Sequence, residues 1–148
     1  MTDVNLSEDD RRALRALAGQ MIPVSAKYRA PGADDPAIFA DVLASFGMDA
    51  AAIHEALNHL RTLSGGCYAD LSPERQRDVT ARFRQTGGEP LLLLSRVILQ
   101  CYYRDERVMR SLDMDVRPPF PKGHSVEQGD WSLLNPVRER GKIWRDAP

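Results

Sequence analysis

Helix punctuation recurs along this chain and leaves room for little else. Ser7, with Asp10 three residues on, is a start signal: a side-chain oxygen for the first amides and a carboxylate near the positive end of the dipole. Leu14, Leu17, Ala18 and Met21 follow at helical spacing, and Pro23 stops the run. Residues 23–35 read as a loop. Asp35-Pro36 then restarts, with a cap followed by proline at the first helical position, where its missing N–H costs nothing. Ile38, Phe39, Val42, Leu43 and Phe46 make the buried stripe of that helix, and Gly47 closes it. A third helix carries Ile53, Ala56, Leu57 and Leu60 and ends near Ser64-Gly65-Gly66. Ser72-Pro73 opens a mostly charged helix with Val79 and Phe83 facing inward, ending at Thr86-Gly87-Gly88. The run EPLLLLSRVILQCYY, residues 89–103, is apolar almost all round, which predicts a helix buried on most faces at the centre of the fold. Asp105 caps a short helix over Glu106–Leu112. No segment sustains period-two alternation. The expected fold is all-α, a single small helical domain of about five to seven helices with an extended C-terminal arm.

The arm begins where the punctuation stops. Residues 113–130 hold three prolines and two glycines without a helical period, and a structureless stretch of that length is usually functional or disordered. Asn135-Pro136 starts a last short helix. The reading divides the chain into a helical core over residues 1–112 and a proline–aromatic arm over 113–148, packed on the same domain or on a partner. At 148 residues, one core is all the chain can build. Its formal charge of −1 gives no general attraction to nucleic acid or to anionic membrane. No apolar run approaches the roughly 20 residues of a membrane span. Arg11-Arg12 is followed by a polar, charged pattern rather than an apolar stretch, so no export signal is read there. A cytoplasmic location is expected, or a periplasmic one if a signal-bearing partner carries the chain across.

Catalytic patterns are missing. His54 and His59 stand five apart, about 140° around a helix, and do not converge on one metal. Asn58 stands where H-E-x-x-H would need its second histidine. No G-x-S-x-G elbow, P-loop or G-x-G-x-x-G fingerprint occurs. Gly65-Gly66 and Gly87-Gly88 read as helix-ending turns. Cys67 and Cys101 read as small buried hydrophobes. Arg96 and Arg104 near Cys101 leave a reactive thiol open, and one bridge between the two cysteines is open as well. Carboxylate pairs such as Asp9-Asp10, Asp34-Asp35 and Asp105-Glu106 sit at helix starts, where capping explains them. No catalytic, cofactor-binding or metal-binding residue is assigned, and the chain reads as a binding protein rather than an enzyme.

The string YYRDERVMRSLDMDVRPPFPKGH, residues 102–124, resembles the gluconate 2-dehydrogenase subunit 3 family. The features that carry the likeness are Tyr102-Tyr103, Asp105, Arg107-Val108 and Leu112, then Pro118-Pro119, Pro121 and Gly123. Ile22-Pro23, Pro31-Gly32-Ala33, Ile38-Phe39 and Leu71-Ser72-Pro73-Glu74-Arg75 agree more loosely. The resemblance implies a small, cofactor-free gamma subunit that supports a large flavoprotein of the glucose–methanol–choline oxidoreductase group. That partner would carry FAD and oxidise a sugar or another alcohol. In some complexes of this kind a cytochrome subunit takes the electrons. Many members have a twin-arginine signal, and this sequence departs from them there.

The partner interface expected on this reading comprises Tyr102, Tyr103, Arg104, Arg107, Arg117, Pro118, Pro119, Phe120, Pro121, Gly123 and Trp131. Proline-rich backbone has little entropy left to lose on docking, and aromatic residues and arginine are enriched at interface cores. Arg104, Arg107 and Arg117 would pair with carboxylates of the partner. The competing reading of Tyr102 and Tyr103 packs them inside this chain, and that of the arm wraps it over its own helices. Two other functions fit the same residues. One is a free-standing helical adaptor that uses Pro118 to Pro121 as a recognition segment. The other is a small enzyme built on His124 with Asp130 or Glu127.

Overall fold

A computed structural model describes residues 6–116, 123, 127–143 and 145. The chain is all-α, and among the described residues there is no strand. The helices are α1 (Glu8–Met21), α2 (Pro36–Ala44), α3 (Ala50–Ser64), α4 (Pro73–Thr86), α5 (Gly88–Arg104), α6 (Glu106–Ser111) and α7 (Asn135–Glu139). Short 3-10 turns occupy Gly47–Asp49, Tyr68–Asp70 and Trp131–Leu134. The residues fall into two compact units, Met1–Val116 and Arg117–Pro148. No single helix among the described residues is long and apolar enough to cross a membrane.

The caps act as their residue types require. The Ser7 hydroxyl accepts from the Asp10 amide at 3.1 Å and donates to the Asp10 carboxylate at 2.6 Å. Asp35 accepts from the Ala37 amide at 3.0 Å with Pro36 next to it. Ser72 and Asp105 do the same for α4 and α6. Gly65 ends α3 at φ +69, the left-handed geometry that a residue without Cβ adopts freely. Gly47 differs from the sequence reading: it opens a 3-10 turn at φ +49 that leads directly into α3.

The core belongs to the first unit. Leu14 and Leu17 of α1, Ile38 and Val42 of α2, and Ile53 and Leu60 of α3 are buried together. Val79 and Phe83 of α4 and Leu94 and Ile98 of α5 complete it, with Tyr68 between them. The Tyr68 hydroxyl meets the Thr80 hydroxyl at 2.7 Å, so a fully buried phenol keeps a partner. Helix α5 is central, packing against α2, α3, α4 and α6. It is not buried all round: Leu92, Leu99 and Tyr103 stay exposed. These lie at i, i+7 and i+11, with Arg96 between, so they share one outward face. The other helices of this unit cover the remaining faces of α5.

Residues 23–35 are a loop, as their composition predicts, but a packed one. Ser25 and Ala30 exchange backbone hydrogen bonds at 3.0 and 3.1 Å, and the Ala33 amide donates to the Ile22 carbonyl at 2.9 Å. Ala33 is fully buried.

Candidate functional site

The residues singled out by sequence begin at the last turn of α5. Tyr102 faces inward, 6% exposed, and its hydroxyl donates to the Pro31 carbonyl at 3.1 Å. Burial, then the charges of Tyr103 and Asp105, push its phenol above the usual value. One step on, about 100° around the helix, Tyr103 faces outward at 53% exposed. The two rings meet edge to face, centroids 5.1 Å apart. The tyrosine pair is thus split between the core and the surface.

The two arginines beside them are engaged within the chain. Arg104 Nε donates to Asp41 at 2.6 Å and its Nη2 donates to Asp41 and to the Ser45 hydroxyl, so α5 is tied to α2. Arg107 makes a two-pronged contact with Asp35 at 2.7 and 3.1 Å and reaches Asp105 at 3.0 and 3.1 Å. Asp35 caps α2 and Asp105 caps α6, so one guanidinium joins two helix starts. Hydrogen bonds from Arg107 hold the Asp35 and Asp105 carboxyls below their ordinary range, and those from Arg104 do so for Asp41. Arg107 itself is pushed up by Asp35 first and Asp105 second. The carboxylates that these arginines were expected to find on a partner are therefore present in α2 and in the cap of α6. Sequence distance hid them, because Arg107 and Asp35 are 72 residues apart.

This geometry joins the first loop to the α5–α6 corner. Pro31 and Asp35 of the first loop touch Tyr102 and Arg107 of the α5–α6 corner.

The remaining expected residues divide simply. Arg117, Pro118, Pro119, Phe120 and Pro121 lie outside the described residues, as does His124. Gly123 is half-buried with φ +62. Trp131 opens the 3-10 turn before α7; the residue is 63% exposed and its indole N–H donates to Gln128 at 3.2 Å. Asp130 caps that turn through the Ser132 amide at 2.9 Å. Around Trp131, Leu133, Leu134, Val137 and Ile143 are exposed as well. Among the described residues of the second unit, none is buried.

His59 and the two cysteines have described surroundings. His59 Nε2 is 2.8 Å from the Thr86 hydroxyl, and its ring lies 5.7 Å from that of Phe83. Both cysteines are free thiols. Burial pushes the Cys101 thiol up, the direction opposite to that of a reactive thiolate. Among the described residues no group of three or more His, Cys, Asp or Glu is placed to hold a metal. Compared with known proteins, the chain matches no family model, no curated protein and no solved structure.

Proposed function

We propose that this chain is a non-catalytic accessory subunit that binds and stabilises an FAD-dependent sugar or alcohol dehydrogenase of the glucose–methanol–choline type. FAD and the redox chemistry belong to the partner, and a cytochrome subunit would take the electrons where one is present. The observation that carries the binding role is the apolar surface of the second unit. Trp131, Leu133, Leu134, Val137 and Ile143 fall within thirteen residues and all remain exposed. A short segment cannot bury such side chains within itself, and exposed apolar patches of this kind mark interaction sites. The row Leu92, Leu99 and Tyr103 on α5 adds a second apolar surface on the first unit. The identity of the partner rests on the likeness of residues 102–124 to the gluconate 2-dehydrogenase subunit 3 family.

A tagged pull-down from native cell extract tests this. The eluate is scanned for flavin absorbance and its chains are identified by mass. A yellow complex with a large flavoprotein is expected. A colourless 16.6 kDa species alone overturns the subunit reading. Substituting Trp131→Ala and Leu133→Ala together should weaken capture at least about tenfold, as removal of a buried aromatic anchor does at other interfaces.

A further inference from the structure

A cleft of about 440 Å³ opens between the Ala26–Arg29 turn and the end of α6. Lys27, Tyr28 and Arg29 line it from the turn, and Arg107, Arg110 and Asp113 from the helix side. Four cations thus face one carboxylate. Two of them are already engaged, Arg107 by Asp35 and Asp105, and Arg110 by Glu106 at 2.6 Å. No ion pair among the described residues includes Lys27 or Arg29. The Lys27 ammonium lies over the Tyr28 ring, 5.0 Å from its centroid.

The walls are held by their backbone. The Ser25–Ala30 pairing closes the turn, and the Arg29 amide donates to the Ala26 carbonyl at 3.3 Å. Among the described residues only Arg29 and Asp113 combine a side chain with left-handed backbone, at φ +52 and +56, and both line this cleft. Aspartate tolerates left-handed geometry, whereas for arginine it is costly, so the backbone pairing of the turn holds Arg29 in place.

The cleft is open and its lining mostly charged, whereas sites for small molecules are concave and mostly apolar. With Asp35, Asp105 and Glu106 set against Arg107 and Arg110, the positive character is confined to Lys27 and Arg29 on the turn. We propose that this cleft docks an acidic, carboxylate-bearing segment of the partner protein, an inference that rests on the partner-binding reading above. Carboxylates of that segment pair with Lys27 and Arg29, and the exposed Tyr28 ring gives its backbone an apolar wall. Such contacts steer encounter and weaken with salt.

The test uses the full chain and a fluorescein-labelled hexaglutamate peptide, followed by anisotropy at low ionic strength. Saturable binding that weakens as salt rises is expected. Lys27→Glu with Arg29→Glu should weaken it at least about tenfold, the loss of two screened charge pairs. Both residues are exposed, so the double variant should keep its helical circular dichroism. Arg138→Glu with Arg140→Glu makes the same change in net charge elsewhere and should leave binding unchanged. Equal loss in both double variants, or no binding by the wild type, overturns the proposal. Displacement of the peptide by inorganic phosphate far more effectively than by chloride at equal ionic strength also overturns it, in favour of a small-anion site. Peptide binding without a captured flavoprotein would keep the cleft and overturn the partner assignment.

Discussion

Arg107 holds five N–H donors in a planar fork, and four hydrogen bonds of this side chain go to two carboxylates at helix starts. A lysine at this position has one nitrogen and cannot reproduce the fork. The side chain is partly exposed, so solvent screens the pairs. Arg107→Ala should lower stability by about 1 kcal/mol, read as a shift in urea midpoint. The pH dependence follows from the carboxyls. Asp35, Asp41 and Asp105 have folded values below their unfolded ones. Their contribution is fully present above the unfolded pKa, about 3.9, and is lost as pH falls through the folded values. The urea midpoint should change little through these groups from about pH 5 to 8 and drop below about pH 4. Arg107→Ala should flatten that drop; an unchanged acid limb in the variant would refute the linkage. Asp35 and Asp105 are legible in the sequence as caps, because a cap is a local signal. The partners of Arg104 and Arg107 are not legible in that way, because nothing local reports that α2 lies beside the α5–α6 corner.

The corner between α4 and α5 shows how two adjacent glycines serve different ends. Gly87 has ordinary helical backbone at φ −74 and is needed for space: an added Cβ would lie 2.6 Å from the Leu91 side chain and 2.8 Å from the Phe83 carbonyl oxygen. Gly88 has room but sits at φ +56. Gly87→Ala should cost about 1–3 kcal/mol through overpacking. Gly88→Ala should cost about 1–2 kcal/mol through backbone geometry. Asparagine separates the causes, since it tolerates left-handed backbone but is larger than alanine. Gly88→Asn should therefore be milder than Gly88→Ala, and Gly87→Asn no milder than Gly87→Ala, by thermal midpoint. The opposite order would contradict this division of roles. The sequence marks Gly87-Gly88 as a stop without saying which glycine supplies the turn, because that depends on how closely Leu91 approaches the end of α4.

At the scale of the whole molecule, every buried side chain among the described residues lies in the first unit, from Leu6 to Val108. Removing Arg117–Pro148 should leave the helical spectrum and cooperative melt of the remainder in place, with a shift of less than about 1 kcal/mol. On the accessory-subunit reading proposed above, the same truncation should abolish capture of a flavoprotein. Loss of the melt would place part of the folding energy in the second unit, and retained capture would move the interface to the first. The exposed row on α5 is the surface that would then be mutated, beginning with Leu99→Glu and Tyr103→Glu.

The chain's elements were written locally. Ser7, Asp35, Ser72 and Asp105 begin helices by hydrogen-bonding amides two or three residues away, Pro23 stops one, and the apolar spacing marks the inward faces. Those interactions lie within a few residues of each other, so the order of residues is enough to determine them. The tertiary structure decided which polar side chains remain available. It turned Tyr102 toward Pro31, drew Arg104 and Arg107 onto α2, and left Lys27, Arg29 and Tyr103 outside. The contacts of Tyr102, Arg104 and Arg107 join residues 63 to 72 apart in the chain, brought together by the packing of a shared core, and no local pattern encodes that approach.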